Sequence, residues 1–392
     1  MADNKNNLIA APIFFAFLCM GFGDAVGPFV GLAKEHFQLT NFVATLIQFV
    51  GFVMFLVLSI PMGIYQDKKG KKHVLMLGLL VALAGLVIPI FGGLKEYSVF
   101  LITVLLLGGG AAILQVAGNP VMRDVSPDGK YSRNLSLGQF VKAIGSLSGP
   151  VIPVVAARWF DAGWELIFPI YSIALLITLA ILWFTNIKEK EIENTIPATF
   201  KSSFQLLGNG YVALMVLGIF IYVGAEQSMS SGIPLYLESK FGIDIESLGV
   251  AGTGLFFLAL MTGRFLGAVI LNWISAQKFL MITVLISILG ISGMFTGIES
   301  LAVISIFVIG LGFANIFPLI FSITVDRMPE RTNELSGLMI SAIVGGAILP
   351  PVMGLVADMT NMTIGFFVPL AGIGYIFLVA LKNLKLEPTP KS

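Results

Sequence analysis

Apolar runs of about twenty residues recur from one end of the chain to the other, separated by short polar stretches. A helix rises about 1.5 Å per residue, so a run of that length matches a hydrocarbon core about 30 Å thick. The pattern predicts spanning helices over residues 8–32, 41–64, 74–93, 97–121, 134–157, 164–185, 210–236, 246–270, 277–296, 300–325, 333–357 and 362–383. The first run contains Asp24 and is too long for a signal-peptide core, so it reads as a span. The expected fold is an all-α membrane protein with twelve transmembrane helices. The one long polar connection, 186–209, holds IKEKEIEN and then ATFKSSFQLLG. It divides the chain into an N-terminal six-helix bundle (1–185), a cytoplasmic linker (186–209) and a C-terminal six-helix bundle (210–392).

The halves repeat one another. MGFGDAVGP in span one answers VGAEQSMSSGIP in span seven, and KAIGSLSGPVIP in span five answers SAIVGGAILPP in span eleven. Paired segments in the same order predict two parallel repeats, an arrangement that builds transport sites near the bilayer midplane.

Composition agrees with the pattern. Of 392 residues, 57% are hydrophobic and 11% are charged, against about a quarter charged in soluble domains. The net charge of +1 gives nucleic acid nothing to bind. With both termini cytoplasmic, seventeen lysines and arginines fall on inner segments and four on outer ones, a positive-inside bias. The single cysteine, Cys19, precludes an internal disulfide.

One connection carries a motif. GIYQDKKGKK, between spans two and three, places Gly63, Asp67 and Gly70 at set spacing ahead of lysines. The glycines allow a tight turn and close helix contact, and Asp67 can accept from a neighbouring helix N-terminus or a cation. This loop resembles the signature loop of the major facilitator superfamily. Within that superfamily the chain is similar to the fucose permease and glucose/galactose transporter branch. The matching segments are LTNFVATLIQF, AGNP, NLSLGQ, YVGAEQ, TGRFLG, FPLIFS and IVGGAILPPVMGLVAD. The resemblance implies uptake of a sugar with a cation, a proton ahead of sodium, by a monomer in the bacterial cytoplasmic membrane. Lipid is its surroundings, and no cofactor or metal is implied. Family members carry acids in spans one and four. Here Gln115 takes the span-four place, and Asp24 lies almost one turn before the span-one place.

Charges inside a bilayer cost about 2.5–3.5 kcal/mol each on insertion scales and mark functional positions. Asp24 shares a face with Gly21, and Lys142 shares one with Gln139 and Gly145. The two are expected to approach each other and couple ion to solute. Gln48, Gln115, Asn119, Gln139, Glu226, Gln227 and Asn315 are candidate contacts for sugar hydroxyls, since amides both donate and accept. Phe22, Phe49, Phe140, Tyr222 and Phe317 are candidate ring faces. Arg264 in TGRFLG is expected to form an inner-face gating pair with Asp326. The chain has no P-loop, HExxH or CxxC motif and no nucleophile elbow, which argues against ATP-driven transport and enzymatic chemistry. Sodium symport, an acidic sugar or other organic anion held by Lys142, proton-driven export and a non-transporting receptor stand as alternative readings.

Overall fold

The structure, a computed structural model, describes residues 2–24, 32–39, 41–187, 189–190, 197–243 and 250–386. Residues 25–31 of span one, Lys188 and residues 246–249 of span eight lie outside it. Among the described residues the elements are helical. They are α1 (Ala2–Asp24), α2 (Asn41–Lys69), α3 (Lys71–Gly92), α4 (Tyr97–Val125), α5 (Tyr131–Phe160) and α6 (Ile167–Phe184). There follow a short α7 (Phe200–Leu206), then α8 (Gly210–Phe241), α9 (Val250–Ile270), α10 (Ala276–Met294), α11 (Glu299–Phe313) and α12 (Ile316–Arg327). The last are α13 (Thr332–Ser341), α14 (Gly345–Met359), α15 (Met362–Gly365) and α16 (Phe367–Lys385).

Ten described segments are long and apolar enough to cross a bilayer. Four of them are composite: Trp164–Phe184, Glu299–Arg327, Pro329–Met359 and Met362–Lys385. α1, apolar over Ala11–Asp24, and α5, thirty residues long, complete the twelve. Large apolar side chains such as Phe91, Trp183, Phe184 and Leu289 point outward, as lipid-facing positions should, while Phe17, Phe100, Tyr171, Phe256, Phe313 and Phe321 are buried.

The helices form two compact units. The first comprises Met1–Pro127, Val141–Phe204 and Pro329–Ser341; the second comprises Asp128–Phe140, Gln205–Met328 and Ala342–Ser392. In the first, α4 packs on α1, α2 and α3, and α13 lies on α2 and α4. In the second, α8 packs on α14 and α16, and α11 packs on α9 and α10. The start of α5 thus belongs to the second unit and all of α13 to the first.

Two spans expected to be continuous are interrupted. Span ten breaks at Ala314–Asn315, between α11 and α12. Span eleven tightens into a 3-10 turn, Ala342–Val344, just where Gly345 presses on the Phe220 carbonyl. Proline governs the first break. Pro318 has no N–H, so the carbonyl of Ala314 loses its intrahelical donor. In lipid such a group must find another partner. The Nε of Arg264 supplies it at 3.3 Å. The same rule operates twice more. Pro120 frees the Val116 carbonyl, which accepts from the Ser336 hydroxyl at 2.6 Å, and Pro234 frees the Ser230 carbonyl, which accepts from Thr253 at 3.2 Å.

Ser336→Ala should therefore cost about 1–3 kcal/mol, the penalty of one buried carbonyl left unpaired. The loss would appear as a lower unfolding temperature of the purified protein in detergent. Adding Pro120→Ala, which restores an intrahelical donor, should recover part of it.

Candidate functional site

Glycine sets the geometry of the first unit's polar centre. A Cβ on Gly21 would overlap the carbonyl oxygen of Lys142, and one on Gly145 would overlap the carbonyl oxygen of Leu18. α1 and α5 thus touch backbone to backbone, a separation that only glycine permits. Asp24 lies one turn beyond Gly21, and Lys142 one turn before Gly145. The crossing carries them together, with Lys142 Nζ 3.0 Å from Asp24 Oδ2. Ser146 donates its hydroxyl to the same carboxylate oxygen at 3.0 Å. The lysine side chain is 11% exposed and the aspartate 41%, so a buried ammonium is matched by a partly open carboxylate. Tyr171 of α6 braces the crossing. It stacks on Phe22 at 3.8 Å and shares a hydrogen bond with Ser148 at 2.8 Å.

The remaining polar candidates of this unit, Gln115 and Asn119, are buried on α4, while Gln48 is half-buried on α2. At the signature loop, a Cβ on Gly63 would lie 2.7 Å from the Asn333 carbonyl oxygen, and one on Gly337 2.9 Å from that of Ser59. α2 and α13 therefore also meet at glycines. Asp67 accepts from the Asn333 side chain at 2.8 Å, in the first turn of α13, and from the Ala198 amide at 3.0 Å. Gly70, at φ 85°, turns the chain into α3. Glu189 then caps that helix through the amides of Lys71 and Lys72 at 3.0 and 2.9 Å. Sequence reasoning missed Glu189. It also missed the buried pair between Lys71 and Asp124, 2.6 Å apart, because the lysine run read as surface anchors.

The second unit has its own centre. Gly263 and Gly267 of TGRFLG let α9 close on the span-ten break: a Cβ on Gly263 would lie 2.6 Å from the Ala314 Cβ, and one on Gly267 would overlap the Asn315 amide. Arg264, between them, reaches the freed Ala314 carbonyl with Nε and the Gln139 carbonyl with Nη1 at 3.4 Å. Its Nη2 lies 3.8 Å from Glu226. The expected Arg264–Asp326 pair is corrected here. The carbonyl freed by Pro318 draws the guanidinium to the middle of span ten, beside Glu226 of α8, whereas Asp326 stands at the far end of α12. Asn315 donates to the Gly263 carbonyl at 2.7 Å. Gln227 is partly exposed, and its carbonyl accepts from Ser231. Tyr222 is wholly buried, donates to the Phe313 carbonyl and neighbours Glu226 and Arg264.

The two centres share a frame. As Gly145 abuts the Leu18 carbonyl in the first unit, Gly345 abuts the Phe220 carbonyl in the second. Asp24 follows Leu18 at the interval at which Glu226 follows Phe220.

Gly145→Ala should push α1 and α5 apart. The expected cost is about 1–3 kcal/mol, as for an overpacked core, and it should appear in thermal unfolding in detergent. Ser146→Ala, which removes one bond and leaves the crossing intact, should cost less.

Comparison with known proteins agrees with this architecture. The profile of the Major Facilitator Superfamily matches residues 13–351 and 215–392. A putative glucose/galactose transporter of Helicobacter pylori is 30% identical, with 99% of each chain covered. The L-fucose-proton symporter of Escherichia coli is 25% identical over 88% of this chain and 86% of its own. The crystal structure of the Escherichia coli fucose:proton symporter superposes with a TM-score of 0.82 at 20% identity, covering 95% of this chain and 98% of that one. The chain belongs to the Major Facilitator Superfamily, in the branch that holds the glucose/galactose and fucose transporters, and its family is one of membrane transporters rather than enzymes.

Proposed function

We propose that this protein carries a small sugar, a hexose or deoxyhexose, into the bacterial cell across the cytoplasmic membrane by proton-coupled symport. The observation that carries the reading is the Asp24–Lys142 pair at the Gly21–Gly145 crossing. In this reading the partly open carboxylate takes a proton, and the ammonium behind it then loses its counter-charge. Removing the partner of a buried charge costs about 3–5 kcal/mol in soluble proteins, and less where one member is half open to water. A ligand must bind one state about 5.5 kcal/mol better than the other to turn a 1:99 mixture into a 99:1 one. The pair supplies a useful share of that bias. The names of the relatives, glucose/galactose transporter and L-fucose-proton symporter, support both the solute class and the ion.

In this reading residues 1–185 and 210–392 are the two moving bundles, joined by 186–209, with both termini cytoplasmic and the protein acting as a monomer. The shared frame around Gly145 and Gly345 supports the repeat. Gln48, Gln115, Asn119, Gln139, Gln227 and Asn315 meet the sugar hydroxyls. Gly63, Asp67, Gly70, Asp326 and Arg264 serve the gates. Bonds such as Asn333–Asp67, Ser336–Val116 and Arg264–Gln139 tie segments of one sequence half to helices of the other, and alternating access requires such bonds to be made and broken. A second reading, an acidic sugar or other organic anion as solute, is favoured by the burial of Lys142, whose charge an anion would match.

Asp24→Asn should abolish accumulation of labelled glucose, galactose or L-fucose driven by a pH gradient in proteoliposomes, by about tenfold or more, the equivalent of ~1.4 kcal/mol. Counterflow, which needs no gradient, should persist. Undiminished gradient-driven accumulation in the variant would remove Asp24 from coupling. Transport of uronates but not of neutral sugars, lost in Lys142→Gln, would favour the second reading.

A further inference from the structure

The second unit repeats the acid of the first but changes its cation. Asp24 and Glu226 occupy matching places after the carbonyls of Leu18 and Phe220, against which Gly145 and Gly345 pack. In α5 the cation sits one turn before that glycine, at Lys142. The corresponding place before Gly345 is Ala342, which carries no charge. The positive group comes instead from α9, as Arg264.

This exchange has a chemical consequence. Arg264 is held by two main-chain carbonyls independently of Glu226, at 3.3 and 3.4 Å, while its approach to the carboxylate, 3.8 Å, is longer than a hydrogen bond. The guanidinium keeps its place and its proton whatever Glu226 does. Glu226 is therefore the member of the pair that can change charge. Both side chains are enclosed, at 10% and 13% exposure. Two further buried polar atoms, Gln139 Nε2 and Asn315 Oδ1, have no partner among the described residues. Gln139 also lends its carbonyl to Arg264, and Asn315 follows the Ala314 whose carbonyl Arg264 holds. The two atoms are a donor and an acceptor on residues whose own or preceding carbonyl holds Arg264, and a hydroxyl-bearing solute would satisfy both.

The other charged and titratable groups around Glu226 are accounted for. Tyr222, one turn earlier on α8, donates to the Phe313 carbonyl, and its hydroxyl also neighbours both Glu226 and Arg264. From the helices packed on α8, Asp358 lies at the end of α14, Lys382 and Lys385 at the end of α16, Asp326 and Arg327 at the end of α12, and Glu299 at the start of α11. Arg264 of α9 is the charge within ion-pair distance among the described residues.

We propose that Glu226 is a second proton-carrying carboxylate, so that each solute crosses with two protons, one on Asp24 and one on Glu226, the solute hydroxyls engaging Gln139 and Asn315 beside the second. The proposal deepens the symport reading and rests on it for its meaning, but its test is independent of the solute. Infrared difference spectra of the purified protein in lipid vesicles, taken between mildly acidic and mildly alkaline pH, report protonated carboxyl groups directly. Wild type should show one carboxyl band that Asp24→Asn removes and another that Glu226→Gln removes. Glu226→Asp should keep the second band at a shifted frequency, and it serves the same purpose if the glutamine variant does not fold. Difference spectra of Glu226→Gln and Glu226→Asp that superpose on wild type would overturn the proposal, because Glu226 would then be a permanently ionised structural partner. Reversal-potential measurements with labelled galactose supply the second readout: two charges per solute in wild type and one in Glu226→Gln, which keeps Asp24. An unchanged ratio in Glu226→Gln also overturns the proposal. Absence of sugar flux in wild type overturns the sugar reading instead and leaves the infrared result to decide on Glu226.

Discussion

A main-chain carbonyl in lipid must have a donor, and this chain removes donors deliberately. Pro120, Pro234 and Pro318 each leave the carbonyl four residues earlier without its helical partner, and each orphan is taken by a side chain of another helix: Ser336, Thr253 and Arg264. In water such a group costs little, because solvent fills the gap; in hydrocarbon it costs several kcal/mol. The prolines thus turn a backbone penalty into fastening points between helices. One of these, at Ala314, also positions the only arginine buried in the described spans and so fixes the electrostatics of its unit.

Glycine does the complementary work. Where proline supplies an acceptor, glycine removes the bulk that would keep helices apart. The Gly21–Gly145 and Gly63–Gly337 contacts bring backbones together, and in each case a carboxylate on the same helix, Asp24 or Asp67, gains a partner on the other. Packing in lipid has no hydrophobic effect to draw helices together, so small residues and short polar bonds carry it. The ion pair is in this sense a product of the crossing.

Much of this was legible in the sequence, because its signals are local. Apolar length against bilayer thickness located the spans, and charge within apolar runs singled out Asp24, Lys142, Glu226 and Arg264. Spacing of three along a helix put Gly21 with Asp24 and Lys142 with Gly145 on shared faces, but did not show the backbone contact those glycines make with the facing helix. What escaped was non-local. The span-ten break depends on Pro318, visible enough, but the choice of Arg264 as recipient of the freed carbonyl depends on how α9 packs. A composition rule sends an arginine near a span end to the nearest surface acid, hence the expected pair with Asp326. Glu189 escaped because a carboxylate in a charged linker looks like any other until the N-terminus of α3 stands beside it. The aromatic candidates Phe22 and Tyr222 could not be told from core packing; the first stacks on Tyr171 and the second bonds the Phe313 carbonyl.

Arg264 binds main-chain oxygens at residues 139 and 314 rather than side chains. Any amino acid at those two positions presents the same oxygen. Drift at position 139 leaves the accepting oxygen in place, whereas position 314 is kept small by its close packing on Gly263. Gln139 is accordingly free to be selected for what its side chain meets, so the attachment can persist while that part of its surroundings is retuned to a different solute.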